Sequence, residues 1–253
     1  MVRYGGLVLG WVAALAFACV AYAYLTLPDV RDLKTVNPTS TAFTELRARE
    51  AEAAGKTPRQ QQRWIAYKRI SPSLTRAVLV AEDSAFWDHD GVDYAELQKS
   101  IELDWARGQL TRGASTITQQ LAKNLYLSPS RNPLRKFREL IIARRLEAEL
   151  SKQRILELYL NLIEWGDGIY GVEAASQAYF HKSAAALGPN EAALLAGCII
   201  NPRLMNPSKM TKRLERRQQI ILRRMGGVTP PTASPADELK NDEAEPSAAK
   251  SNE

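Results

Sequence analysis

A polar segment inside a helical pattern carries side chains suited to binding a charged sugar. Residues 112–124 read RGASTITQQLAKN. In a helix, Thr116, Gln120 and Lys123 share one face, with Gln119 one step aside, because side chains three and four positions apart are neighbours. Amide and hydroxyl groups beside a cation suit a hydroxyl-rich, negatively charged ligand such as a phosphorylated sugar. A solvated helix face is the alternative interpretation.

Two adjacent acids stand at the end of an apolar segment. Glu82 and Asp83 directly follow AVLVA. Burial at such a boundary raises the pKa of a carboxyl group, which suits a general base that works near neutral pH. The simpler interpretation is a helix end followed by a polar loop, in which Phe86 and Trp87 only pack.

A third group combines two cations with an acid. Arg131, Arg135 and Glu139 follow one another at intervals of four residues and so lie along one side of a helix. Guanidinium groups bind phosphate oxygens in a bidentate manner, and this pattern could form a phosphate clamp beside a carboxylate. A surface salt bridge, worth roughly a few tenths of a kcal/mol, is the alternative.

The elements that position these side chains are predicted to be helices. No segment alternates convincingly like a strand and no internal repeat is present, so we predict one all-α domain over residues 61–225. Helices are predicted to start after Ser71, Asp93 and Ser151. A long amphipathic helix is predicted to end at about Leu150, and three more are predicted to cover 173–180, 191–200 and 208–225. The apolar faces expected for two of them comprise Leu97, Ile101 and Trp105, and Leu134, Phe137, Ile141 and Ala148.

Two further helical patterns have mainly structural interpretations. Glu157 and Asn161 are four residues apart, and Asn161 near a helix end can satisfy loop backbone groups before Gly166. The segment 216–222, RRQQIIL, is a basic amphipathic helix. It is predicted either to present a solvated face with extended arginines or to lie against an anionic membrane surface.

Composition narrows the class of protein. The 253 residues carry a net charge of +6. The tail, 226–253, holds six acids and two lysines and is therefore −4, which leaves +10 on the rest. A basic body suits nucleic acid, an anionic membrane or an anionic substrate. The chain has two cysteines, Cys19 and Cys198, which do not indicate a disulfide framework. Its two histidines, His89 and His181, are far apart in sequence and do not indicate a zinc site.

The N-terminus predicts export. Residues 4–27 contain no charge and are long enough to span a bilayer, so 1–28 is predicted to be a transmembrane signal-anchor. Arg3 weakly favours a cytoplasmic N-terminus. A cleaved signal peptide ending near Ala21-Tyr22-Ala23 is the alternative, and both interpretations export the domain. Residues 29–60 are predicted to be a polar tether and 226–253 a disordered acidic tail.

Taken in order, these segments resemble the peptidoglycan glycosyltransferases, glycosyltransferase family 51, over about residues 60–225. The family pattern ED-x-x-F-x-x-H-x-G matches Glu82 to Gly91, and G-x-S-T-I-T-Q-Q matches Gly113 to Gln120. R-K-x-x-E matches Arg135 to Glu139. The last two motifs match Lys152 to Asn161 and the pair Arg216-Arg217. Five motifs in the same order make the resemblance specific.

The resemblance implies a lysozyme-like all-α fold and a defined reaction. It implies polymerisation of lipid II into β-1,4 glycan with inversion at C1 and release of undecaprenyl pyrophosphate. Glu82 matches the general base. Glu139 matches a second acid beside the pyrophosphate, acting through a divalent cation (Mg²⁺ or Mn²⁺) or by positioning, with no obligatory cofactor. Lys123 and Arg131 match the residues that neutralise the leaving group.

The remaining motif positions divide into two sets. Those expected to contact substrate are Asp83, Phe86, His89, Ser115, Thr116, Gln119, Gln120, Asn124, Arg135 and Lys136. Those expected to support the motifs structurally are Gly91, Gly113, Glu157, Tyr159, Asn161, Arg216 and Arg217.

The short chain resembles the monofunctional form of the family. A transpeptidase needs S-x-x-K, S-x-N and K-T-G in order. The chain has no K-T-G, and its only S-x-x-K is Ser247 to Lys250 in the tail. The resemblance implies a single-pass inner-membrane enzyme with its domain on the periplasmic face, sensitive to moenomycin. Its expected partners are lipid II, the growing glycan, the membrane and division or elongation proteins, not nucleic acid.

Two other functions fit parts of the sequence. A lytic transglycosylase or muramidase also needs one dominant glutamate, but its neutral leaving group needs no cluster such as Lys123, Arg131 and Arg135. A membrane-anchored scaffold of the cell-wall machinery would tolerate loss of Glu82.

Overall fold

The computed structural model describes residues 10–15, 17–18, 21–22, 25–107, 115–127 and 133–226. Much of the predicted anchor, the tail from 227 onward, Gly113 and Arg131 lie outside the described residues. Within the described ranges, no helix has both the length and the apolar character that a membrane crossing requires.

Helices dominate the described part of the chain. Their bounds are α1 (Ala42–Ala53), α2 (Pro72–Glu82), α3 (Tyr94–Arg107), α4 (Ile117–Tyr126), α5 (Pro133–Glu149), α6 (Lys152–Leu162), α7 (Val172–Phe180), α8 (Pro189–Cys198) and α9 (Lys212–Met225). Short 3₁₀ turns occupy Arg31–Lys34, Tyr67–Arg69 and Ala184–Ala186. The predicted mainly helical fold is therefore confirmed.

The prediction that the domain lacks strands is wrong. Three short strands, β1 (Gln61–Gln62), β2 (Glu164–Gly166) and β3 (Ile169–Tyr170), form one sheet in the order β1-β3-β2. β1 is parallel to β3, and β2 is antiparallel to it. Two or three residues are too few for the alternation that identifies a strand in sequence. Gly168 lies in the turn that connects β2 to β3. Its φ is +72°, a conformation that favours glycine, and an added Cβ would lie only 2.8 Å from the Arg59 carbonyl oxygen.

The core brings the ends of α2 and α4 together. α2 packs against α8 and α9, while α4 packs against α5 and α6. The largest fully buried side chains include Trp165, Tyr159, Tyr170 and Phe86. A smaller cluster of Leu194, Cys198, Met205 and Leu214 lies beneath α9. The two helix groups thus hold the polar segment at the start of α4 close to the acids at the end of α2.

The predicted apolar faces of α3 and α5 are not in the core. Trp105 is 90% exposed and Leu134 is 70% exposed, and Leu97, Ile101 and Phe137 are exposed as well. In α5 the buried face instead carries Glu139, Ile142, Ala143, Leu146 and Glu147. Hydropathy predicts the wrong buried face for this helix, because two glutamates in ion pairs are buried and several apolar side chains are exposed.

The segment expected to be a tether, 29–60, packs on the domain. Val30 and Leu33 are part of the main hydrophobic core. The Arg154 guanidinium donates to the Leu33 carbonyl at 2.8 Å. α1 begins with a capping box in which the side chains of Thr41 and Thr44 each accept a hydrogen bond from the other residue's backbone N–H. The prediction of a tether was wrong because the prolines and mixed charges of this segment are typical of a linker and do not indicate packing.

Two predicted helix starts differ in detail. Ser71 precedes α2, but its hydroxyl donates to the Leu187 carbonyl at 2.6 Å instead of capping the helix. The polar segment becomes helical only at Ile117, and Thr116 is the N-cap, which accepts from the Gln119 backbone N–H. Thr116 therefore does not share a helical face with Gln120 and Lys123.

Asn161 joins the end of α6 to the segment before α2. Its Oδ1 accepts from the Ile65 backbone N–H at 2.8 Å, and its Nδ2 donates to the Ile65 and Glu157 carbonyls. The side chain is fully buried. It satisfies backbone groups that water cannot reach, which is the structural role suggested by the sequence.

We expect Asn161→Ala to lower the free energy of unfolding by about 3 kcal/mol, because it leaves the buried Ile65 N–H and C=O unpaired. Urea unfolding followed by circular dichroism measures this. Asn190→Ala at an exposed position is the control and should change stability little. Equal effects of the two substitutions would contradict the proposed role of Asn161.

Candidate active site

Glu82 is the last residue of α2 and occupies a largely buried position. Its side chain is 13% exposed. One carboxylate oxygen, Oε2, accepts from Gln120 Nε2 at 3.0 Å, and the other, Oε1, lies 3.4 Å from Arg217 Nη2. Burial raises the pKa of the carboxyl group, while the Gln120 hydrogen bond and the positive charges of Arg217 and Lys123 act in the opposite direction. A carboxylate with a raised pKa suits proton abstraction near neutral pH.

Asp83 has a different environment and serves to join two elements. Its Oδ2 accepts from the Ile117 backbone N–H at 2.9 Å, at the first turn of α4. Its Oδ1 lies 3.0 Å from His89 Nε2. Because His89 Nδ1 accepts from the Gly91 backbone N–H, a neutral ring carries its proton on Nε2 and donates it to Asp83. Asp83 thus ties the loop after α2 to the start of α4.

Thr116 and Gln119 bind the loop after α2. Thr116 Oγ1 donates to the Gly91 carbonyl at 2.8 Å, and Gln119 Nε2 donates to the same carbonyl at 3.1 Å. Both residues are buried. Their polar atoms, predicted to contact substrate, therefore hold the Glu82-Asp83 loop in place. Gly91 has φ +82°, a conformation that favours glycine.

The second acid, Glu139, is held by two cations. It is 3% exposed, and its two oxygens accept from Arg135 Nη1 and Lys136 Nζ, each at 2.5 Å. Lys136 Nζ also donates to Ser115 Oγ at 3.0 Å and to Gln119 Oε1 at 2.9 Å. Two members of the predicted phosphate clamp, Arg135 and Glu139, thus form a compact, positively charged network with Lys136 at one side of α4.

Lys123 lies between the two acids. Burial lowers the pKa of its ammonium, the nearby Glu139 and Glu82 raise it, and Arg135 and Lys136 lower it. Within the described ranges, the ammonium has no hydrogen-bond acceptor or ion-pair partner. A half-buried cation in this environment suits an anionic ligand.

Two other residues predicted to contact substrate, Phe86 and Asn124, make contacts within the protein. Phe86 is fully buried beneath the ammonium of Lys152, which lies 4.5 Å from its ring centroid. Asn124 Nδ2 donates to the Gln120 carbonyl at 2.8 Å within α4.

Glu157, predicted to support its motif structurally, joins α6 to the segment before α2. Its Oε1 accepts from Trp64 Nε1 at 3.1 Å and from Arg154 Nη1 at 3.0 Å. These contacts agree with the structural role suggested by the sequence.

The two arginines of the basic helix α9 face different ways. Arg216 is exposed. Arg217 turns inward, donates from Nε to the Gly197 carbonyl at 3.1 Å, and approaches Glu82. The sequence predicted a structural role for both arginines. Arg217 lies 135 residues after Glu82, and the two side chains meet only because α9 packs on α2 and α8.

A buried ion pair beneath the site was missed. Glu147 Oε1 accepts from Lys152 Nζ at 2.9 Å and from Thr118 Oγ1 at 2.6 Å. Lys152 Nζ also donates to the His89 carbonyl. Burial raises the pKa of Glu147, and Lys152 opposes that change. Lys152 begins one of the matched motifs, but Glu147 could not be recognised as its partner, because a glutamate among the many charges of α5 is typical of a solvated surface.

A cleft of about 370 Å³ opens at Glu82. The cleft is lined by the two acids at the end of α2, by the segment just before α4 and by charged side chains of α3 and α9. The lining residues include Glu82, Asp83, Ser115, Lys99 and Arg224. The cleft thus places a carboxylate with a raised pKa beside cationic side chains in a polar opening.

The acids of the site do not form a preformed metal centre. Among the described residues, no three histidine, cysteine or acidic side chains converge as ligands. Both oxygens of Glu139, the one residue predicted as a ligand, are already bound to cations. The residues present therefore do not fit a resident metal ion.

A helical domain that holds a buried glutamate near cationic side chains is compatible with an enzyme that transfers glycosyl groups. The family model for Transglycosylase matches residues 50–226, and this chain belongs to that family. The family assignment confirms the resemblance found in the sequence, although the match begins before residue 60.

Curated relatives carry one shared name. The protein of Dechloromonas aromatica named biosynthetic peptidoglycan transglycosylase is 46% identical over 78% of this chain and 85% of its own length. Proteins of the same name from Aromatoleum aromaticum and Nitrosospira multiformis are 50% and 42% identical, over 66% and 87% of this chain. The alignments cover 73% and 97% of those two proteins. Such similarity shows that the chain is an enzyme of this class.

The raised pKa of Glu82 makes it a source of instability at neutral pH. Because the folded state binds this proton more tightly than the unfolded state, the charged carboxylate opposes folding above the folded-state pKa. The penalty disappears as the pH falls through that pKa and below the unfolded-state value. We therefore expect Glu82→Gln to melt at a higher temperature than wild type at about pH 8, with a difference that shrinks towards about pH 4.

Differential scanning calorimetry across pH measures this difference. Glu52→Gln, at an exposed position of α1, is the matched control and should melt with wild type throughout. A Glu82→Gln protein that is less stable than wild type at about pH 8 would show that Arg217 and Gln120 outweigh burial.

Proposed function

We propose that the protein polymerises lipid II into β-1,4 glycan strands as a biosynthetic peptidoglycan transglycosylase without transpeptidase activity. The observation that carries the proposal is the placement of Glu82, a carboxylate with a raised pKa, at a cleft near the half-buried cation Lys123. The family and the shared name of its relatives support the same activity.

Glu82 acts as the general base. It takes the proton from the 4-hydroxyl of the acceptor's N-acetylglucosamine, and that oxygen attacks C1 of the muramic acid at the end of the growing chain. The bond from C1 to the lipid pyrophosphate breaks as the new bond forms, so the α linkage becomes β. Positioned general-base catalysis of this kind contributes about 10²- to 10⁴-fold to the rate.

Lys123 stabilises the departing pyrophosphate. Negative charge accumulates on that group as the bond to C1 breaks, and a desolvated cation stabilises it more than water would. The network of Arg135, Lys136 and Glu139 adds positive charge behind Lys123. Arg131, which lies outside the described residues, is proposed to act with them.

Glu139 positions cations in this scheme. Its two oxygens hold Arg135 and Lys136 in place, so that the positive charge of the network lies beside the pyrophosphate. We propose that no resident metal is obligatory. Any Mg²⁺ or Mn²⁺ would be held mainly by the phosphate oxygens of the substrate, because both oxygens of Glu139 are already bound to cations.

The substrate requires the enzyme to work at a membrane surface. We propose that residues 1–28 anchor the chain in the cytoplasmic membrane with the domain on the periplasmic side, where both substrates are lipid-linked. The uncharged segment 4–27 supports this placement. The exposed apolar side chains of α3 and α5, Trp105 and Leu134 among them, support contact with lipid. Division or elongation proteins are proposed as partners.

Glu82→Gln should abolish polymerisation, with a fall in turnover of about 10³-fold or more, because the amide cannot accept the proton. Labelled lipid II is incubated with the detergent-solubilised protein, and the products are separated on a gel. Glu52→Gln should retain wild-type turnover, and moenomycin should suppress the wild-type ladder while penicillins do not.

Three outcomes would contradict the proposal in different ways. Normal turnover by Glu82→Gln would remove Glu82 as the base. Digestion of finished glycan without polymerisation would favour a lytic transglycosylase. No activity on either substrate from folded wild type would favour a scaffold.

Lys123→Met should lower kcat by about 10²-fold while changing the KM for lipid II by less than that, because the cation acts most strongly as charge develops on the leaving group. Lys56→Met, at an exposed position of the loop before β1, is the control. A Lys123→Met enzyme with wild-type kcat and a raised KM would show that Lys123 only binds substrate.

A further inference from the structure

We propose that Tyr159 is a positioning residue: its hydroxyl fixes the side-chain orientation of Gln120, and Gln120 in turn holds the Glu82 carboxylate ready to accept a proton. The proposal rests on the proposed role of Glu82 as the base. Tyr159 does not contact the reacting atoms.

A chain of two hydrogen bonds connects the three residues. The Tyr159 hydroxyl donates to Gln120 Oε1 at 3.0 Å, and Gln120 Nε2 donates to Glu82 Oε2 at 3.0 Å. A side-chain amide has one accepting and one donating end. With the phenol on its oxygen, Gln120 turns its NH₂ group towards the carboxylate. The reverse orientation would place the amide oxygen against the carboxylate and repel it.

Tyr159 is well placed to impose this choice. It lies in α6 and is fully buried, so it is held by the core and cannot reach the substrate. Burial, together with the nearby carboxylates of Glu82 and Asp83, raises the pKa of its phenol well above the usual range. The phenol therefore remains protonated and able to donate.

The result is a carboxylate with two distinct oxygens. Oε2 is held by Gln120, whereas Oε1 faces Arg217 at 3.4 Å, which is longer than a usual hydrogen bond between charged groups. Oε1 is therefore the oxygen that accepts the proton. Asp83, Lys123 and Arg217 are the charged groups that act on Glu82 from the elements around it, and all three stay unchanged in the test.

Tyr159→Phe removes only the hydroxyl. We expect kcat for lipid II polymerisation to fall about tenfold with KM unchanged, which is near the upper end for one hydrogen bond between uncharged groups. The acid limb of the pH profile of kcat/KM should move to higher pH, because the carboxylate loses a polarised donor. Tyr179→Phe removes a partly buried hydroxyl that donates to the Trp165 carbonyl, and it should match wild type.

A double-mutant cycle separates positioning from general support of the fold. If Tyr159 acts through Gln120, Tyr159→Phe should have no further effect on kcat in a Gln120→Ala background. An undiminished loss in that background would overturn the proposal, as would an acid limb that does not move in Tyr159→Phe.

An isosteric replacement keeps the test valid where Tyr159→Phe does not fold. 3-Fluorotyrosine at position 159 is a stronger donor, and it should move the acid limb to lower pH. An unmoved limb would overturn the proposal. Glu82→Gln separates failure of the proposed function from failure of the proposed role of Tyr159. An active Glu82→Gln enzyme would overturn Glu82 as the base. An inactive Glu82→Gln enzyme, together with an unchanged acid limb in the Tyr159 variants, would overturn only the role of Tyr159.

Discussion

The site depends on the hydrogen bond between the Asp83 carboxylate and the Ile117 backbone N–H. The first N–H groups of a helix lack partners within the helix, and a carboxylate at this end satisfies one of them while its charge matches the helix dipole. Since Asp83 directly follows the last residue of α2, the bond fixes that helix against the start of α4. Glu82 and Gln120 are thereby brought within hydrogen-bond distance, so one contact at the start of α4 helps to set the geometry of this pair.

The polar motif residues mostly stabilise one another. Thr116, Gln119 and His89 direct their polar atoms at the loop between α2 and α3, and Lys136 directs its ammonium at Glu139 and Ser115. Most of these polar groups are therefore committed to the protein before a ligand arrives. Preorganisation of this kind lowers the cost of ordering a site around a charged substrate.

The helical class and the family could be predicted from the sequence, and Glu82 could be proposed as the base, because motif order and the boundary between apolar and acidic residues are local signals. Sequence reasoning misassigned the buried face of α5, where Glu139 and Glu147 lie inside and Leu134 and Phe137 lie outside. Hydropathy cannot anticipate that neighbouring cations neutralise these acids. The contact between Arg217 and Glu82 was also beyond reach, since it depends on how α9 packs across α2 and α8.

The distance in sequence between Glu82 and Arg217 has a consequence for how the enzyme is made. α2 gains much of its packing from α8 and α9, and the environment of its terminal acid includes a side chain near the end of the domain. A chain that is still emerging presents the base without that surrounding. The surroundings of Glu82 are therefore complete only after α9 has folded onto α2 and α8.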